Sequence, residues 1–141
     1  MLADPFVPDV EIAAFGAAHR ESGGIVTFLG QVRGEGAELL ELRHYEPLTL
    51  PGMRELAATC ETRWRLDGLL ILHRTGEMGP GEPIVLVAAA APHRAQAFAA
   101  ADYAMDHLKS ESWFWKRERR GGAWRWIEPR AEDYAAKSRW S

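Results

Sequence analysis

Apolar residues change period several times along the chain, and each change marks an element. The run 24–32, GIVTFLGQV, is rich in β-branched and aromatic residues and predicts a buried strand. Leu39–Tyr45, Leu69–Arg74 and Pro83–Ala91 predict three more. Elsewhere the spacing is helical. Met53, Leu56, Ala57, Cys60 and Trp64 recur every three or four residues, predicting a helix from Pro51 to Trp64 with Cys60 in its buried stripe. Asp9 is placed to cap a shorter helix reaching about His19, with Val10, Ala13 and Ala14 on one side. Pro92 opens a long helix to about Lys109, whose inner stripe is Phe98, Ala101, Met105 and Leu108.

Polar and glycine-rich stretches punctuate these runs. Arg33-Gly34-Glu35-Gly36 reads as a mobile loop, Glu46–Leu50 as a connection ended by Pro51, and Gly76–Glu82 as a turn-rich link. Two alternating runs flank Gly121-Gly122 in 113–127, WFWKRERRGGAWRWI, which is a hairpin signature because both glycines accept positive φ. Glu132–Arg139 predicts a terminal helical turn. The order of elements predicts an α/β (α+β) sandwich with a mixed or antiparallel sheet and a C-terminal hairpin. At 141 residues without a linker, the chain reads as one domain over 1–141.

Composition narrows the functional classes. A single cysteine excludes an internal disulfide and any multi-cysteine metal site. His19, His44 and His73 show no ligand spacing, so no metal is expected. No apolar run approaches a membrane span, and the N-terminus lacks the pattern of a signal peptide, which predicts a cytoplasmic protein. The net charge of −3 argues against an obligate nucleic-acid binder, but its distribution is uneven. Residues 1–93 carry −6 and residues 94–141 carry +3, so an anionic ligand belongs with the C-terminal third.

Of 17 basic residues only three are lysines: Lys109, Lys116 and Lys137. Arginine does not release its proton at working pH and lysine can, so Lys109 and Lys116 are candidates for a titratable amine. Lys116 lies in the first hairpin strand on the side of Phe114 and Glu118, and the nearby Arg117, Arg119 and Arg120 are expected to depress its pKa. His93-Arg94 falls where a strand meets a helix N-terminus, a natural anion site, and Arg33 at a strand end offers a bidentate fork. The Trp/Arg hairpin also suits stacking on bases, so a single-stranded nucleic-acid binding module is a competing reading. A structural homodimer with an apolar hairpin interface is another.

Several segments taken together resemble the large, catalytic subunit of molybdopterin synthase from Gly23 to Trp140: GGIVTFLGQVRGEG, the His44-Tyr45 pair, PGM at 51–53, LHRTGEMGPGE, APHRAQAF, MDHLK, FWKRE and AAKSRW. The resemblance implies a hammerhead-type α/β fold and a heterotetramer. Two copies pair centrally, and each takes up a small ubiquitin-like carrier whose C-terminal glycine bears a thiocarboxylate. It implies sulfur transfer to cyclic pyranopterin monophosphate, forming the molybdopterin dithiolene, with no cofactor of the subunit's own. By matching motif it assigns substrate contacts to Gln31, Val32, Arg33, His93, Arg94, Lys109, Lys116, Arg117 and Glu118, with Lys109 and Lys116 catalytic. One departure is Glu46-Pro47-Leu48-Thr49-Leu50, where many members pass more directly from the His-Tyr pair to PGM.

Overall fold

A computed structural model of the chain describes residues 1–111 and 113–140. The most apolar strand organises it. β5 (Pro83–Ala91) runs between β1 (Gly24–Gln31) and β3 (Gly68–His73), antiparallel to both. Val85, Val87, Ala89 and Ala91 face α3 (Arg94–Ser110), while Ala88 and Ala90 meet Phe15 of α1 (Pro8–Ala18) and Leu70. The helix answers with small residues of its own, Ala97, Ala100, Ala101 and Ala104, so its backbone approaches the sheet closely. α2 (Glu46–Trp64) adds Met53, Leu56 and Cys60 to the same core. Burial pushes the Cys60 thiol up to about 12.

The second sheet carries the hairpin. Its order is β4 (Gly76–Met78), β2 (Leu39–His44), β6 (Phe114–Arg120), β7 (Ala123–Ile127), again all antiparallel. One face holds Leu40, Leu42, Met78 and Phe114 against Val32 and Ile84. Gly121 and Gly122 turn the hairpin with φ of 55° and 79°, as the sequence predicts. α4 (Ala131–Ser138) then folds back onto α3.

Several expectations are corrected. β1 is an edge strand rather than a buried one, with Ile25 39% and Phe28 42% exposed. α1 starts with Val7 at its N-cap and Pro8 inside the first turn, and Asp9 makes no cap. Its buried residue is Phe15, and Val10 points to solvent. Phe98 is 61% exposed, so the inner side of α3 runs through the alanines instead. The Gly76–Glu82 link contains β4, which is too short to show a period. Glu46–Leu50 is no loop but the first turn of α2, with Pro51 inside the helix. Pro47 suits a first turn, and Thr49 Oγ1 donates to the Tyr45 carbonyl at 2.8 Å, which secures the start.

Candidate anion-binding site

Lys116 stands at the centre of the site. It lies in mid β6 opposite Leu42 on one side and Ile127 on the other, on the face shared with Phe114 and Glu118. The lysine reaches solvent, yet the surrounding protein lowers its pKa, with loss of hydration the largest cause and Lys109 the next. Arg130 and Arg33 lower it further, and only Asp133 opposes them. Lys109 comes from the last turn of α3, where a cation complements the helix dipole. Arg33 follows β1, and Arg130 caps the start of α4.

Three cations from separate segments thus add to the loss of hydration in depressing the lysine, but not in the way the sequence suggests. Arg117 turns to the opposite face of the sheet. There it grips Glu41 at 3.0 and 3.3 Å and lies over Trp124, 4.3 Å from the ring centroid. Arg119 pairs with Glu38 and Arg120 with Glu118. The sequence-adjacent arginines are thus neutralised or turned away, and the charges acting on Lys116 come from distant segments. Arg130 and Asp133 escaped the sequence reading. The only signal for them was the positive balance of the C-terminal third.

The other expected residues divide. Gln31 ends β1 at a register shift and is exposed. Val32 is buried, and its backbone is committed on both sides, donating to the Glu82 carbonyl at 3.0 Å and accepting from Gly81 N at 2.8 Å. It anchors Arg33. Glu118 shares the Lys116 face but is engaged by Arg120. His93 is the N-cap of α3, its N–H donating to Gln96 Oε1 at 3.3 Å, and Arg94 lies against Gly24 at the opening of β1. That pair is exposed at the start of a 17-residue helix that ends beyond Lys109, a separation of about 25 Å. One chain therefore gathers Arg33, Lys109, Lys116 and Arg130, and leaves His93 and Arg94 at the far end.

Among the described residues no cluster of three His, Cys, Asp or Glu side chains could hold a metal, and no helix is long and apolar enough to cross a membrane. A cleft of about 420 Å³ between α2 and α3 is lined by Leu48, Gly52, Tyr103, His107 and Trp113, and by none of the residues gathered around Lys116.

Fold and site together define an α/β protein with a cluster of cations, Arg33, Lys109 and Arg130, around a lysine of lowered pKa. The family described as MoaE protein matches residues 3–111, and the chain belongs to that family. The molybdopterin synthase catalytic subunit of Caulobacter vibrioides is 46% identical over 138 residues, spanning 96% of this chain and 92% of that protein. Among solved structures, the molybdopterin biosynthesis MoaE protein from Burkholderia ambifaria aligns with a TM-score of 0.81 at 38% identity, covering 98% of this chain and 93% of that one. The molybdopterin synthase from Staphylococcus aureus aligns at 0.73 and 25% identity, covering 90% and 94%.

Proposed function

We propose that this chain, as one domain in the cytoplasm, is a molybdopterin synthase catalytic subunit. In this reading it passes sulfur from the C-terminal thiocarboxylate of a small ubiquitin-like carrier to cyclic pyranopterin monophosphate. The observation that carries the reading is Lys116, set among Lys109, Arg130 and Arg33, its ammonium destabilised by loss of hydration and by these charges. Such an amine exchanges protons more readily near neutrality than an ordinary lysine. Sulfur transfer from an acyl donor requires charge to be stabilised on a developing oxyanion, and protons to reach the oxygens that leave the pterin side chain. Lys116 serves the proton transfers. Lys109, protonated, holds anionic groups, and Arg33 and Arg130 bind the substrate's negative charge.

A second copy of the chain completes the site. The phosphate and the reacting carbons of one small substrate lie far closer together than about 25 Å, so His93 and Arg94 reach it only from a partner. The nucleic-acid alternative loses ground because three of the four hairpin arginines, Arg117, Arg119 and Arg120, are already paired with Glu41, Glu38 and Glu118.

Lys116→Arg tests the proton role in an assay with thiocarboxylated carrier and the pterin substrate. It keeps the charge and removes the titration, so the rate should fall by roughly 100-fold or more while carrier binding survives. Near-full activity would reduce Lys116 to an electrostatic anchor.

A further inference from the structure

The loop that carries Arg33 is tied to the hairpin through Glu38, which meets Arg119 and Gly122 N, and through Arg120, a side chain that sulfur transfer does not otherwise use. Arg120 ends β6. Its Nη1 donates to the Glu35 carbonyl at 2.7 Å, while Nε and Nη2 donate to the two Glu118 carboxylate oxygens at 2.8 and 3.4 Å. The bidentate grip on Glu118 fixes the plane of the guanidinium, and the remaining nitrogen is thereby aimed at the loop. A lysine has no such fork.

The carbonyl being held belongs to an unusual residue. Glu35 has φ of 41°, and Arg65 is the one other non-glycine residue with positive φ among the described residues. Left-handed backbone under a side chain is disfavoured and persists where the surroundings hold it. Gly36 follows with φ of 83°, and a Cβ there would sit 3.1 Å from Arg120 Nη1, so the guanidinium lies directly across the bend. Ala37 N closes the turn on the Gly34 carbonyl at 2.8 Å, and Glu38 N joins it to the Arg119 carbonyl at 2.8 Å. Arg33 is two residues from the held carbonyl and meets the Glu35 carboxylate at 3.3 Å.

We propose that Arg120 is a positioning residue: backed by Glu118, it holds the Glu35 carbonyl and so fixes the bend that presents Arg33 to the anionic substrate. This rests on the reading of Arg33 as a ligand for that anion. Glu118 then serves the substrate at one remove, through Arg120 and the loop.

Steady-state kinetics on the assembled enzyme, with thiocarboxylated carrier and pterin monophosphate, decide the matter for Arg120→Ala, Arg33→Ala and the double variant. Arg120→Ala should raise KM for the pterin about tenfold and leave kcat within about twofold, because it loosens binding without touching the reacting groups. Once Arg33 is alanine, Arg120→Ala should add nothing further. Arg120→Lys should recover only part of the affinity. Gly36→Ala keeps every charge but strains the bend at φ of 83° and crowds the guanidinium, so it should raise KM in the same direction even if Arg120→Ala proves unstable. Unchanged KM in Arg120→Ala, or an increase that multiplies undiminished onto Arg33→Ala, overturns the positioning role alone. Unchanged KM in Arg33→Ala removes Arg33 from the substrate, and the role of Arg120 falls with it.

Discussion

Lys116 is a residue the folded protein keeps at a cost. Its folded pKa lies below the unfolded value of 10.5, so the native state binds the proton less tightly than the unfolded chain does. Stability is therefore diminished at neutral pH and recovers as pH rises from the lowered value toward 10.5. Lys116→Met should raise the thermal midpoint while abolishing sulfur transfer. A lower midpoint would make Lys116 a structural residue. His73 behaves differently. Buried against Phe114 at 4.3 Å, with Nδ1 at 3.0 Å from the Arg74 carbonyl, it is pushed down to about 4 by loss of hydration. Its contribution is fully present above pH 6.5 and is lost as pH falls toward 4, by at most about 3 kcal/mol. Urea unfolding between pH 6.5 and 5 should show this slope, and His73→Phe should flatten it; an equal slope in the variant rules His73 out. Scarcity and the family resemblance singled out Lys109 and Lys116 in the sequence. The charges that act on Lys116 were hidden, because alternation and ion pairing decide which arginines count and neither Arg33 nor Arg130 is near it in the chain.

At the level of elements, strong periods were legible and weak ones were not. β5, the hairpin and the long α3 follow the sequence reading nearly residue by residue, since long apolar runs and a two-glycine turn leave little choice. Phe98 misleads because a helix packed on small residues leaves large ones free to face outward. Pro51 misleads because a proline one turn inside a helix looks like its start. α4 shows what an element does for the site. Trp140 Nε1 donates to Asp106 at 2.7 Å, its ring meets Trp64 and Tyr103 edge-on, and Arg139 bonds Asp102 at 2.6 Å and Asp106 at 2.8 Å. This fastening holds α4, and with it Arg130, beside Lys116. Trp140→Ala should cost about 2 kcal/mol of stability and raise KM for the pterin. A stability loss with KM unchanged would show that α4 supports the fold and not the site.

For the whole molecule, the distance between the two ends of α3 sets the requirement. If a second copy brings His93 and Arg94 to Lys116, two inactive variants should rescue each other. In a mixture of Arg94→Ala and Lys116→Ala chains, half the dimers are mixed and each holds one intact site, so activity should return to about a quarter of the native level. No recovery, with mixed dimers present, would sink the shared site. Surface suited to such pairing exists: Ile25 and Phe28 on the free edge strand, Phe98 on α3, and Trp115 and Trp126 on the outer face of the hairpin are all exposed. The hairpin was legible in the sequence as an apolar interface, whereas the exposed Ile25, Phe28 and Phe98 were not.

The sealed thiol of Cys60 bears on how sulfur is kept in order. A protein proposed to handle activated sulfur has one cysteine, with no exposed surface and a pKa pushed up to about 12. That thiol offers almost no thiolate at neutral pH, so it forms neither a persulfide with the donor nor a mixed disulfide with the cell's thiols. In the proposed transfer, sulfur is therefore not stored on Cys60. Iodoacetamide should leave the native protein unmodified and active, and should label one site only after denaturation; labelling of the folded chain would reveal an opening beside Cys60.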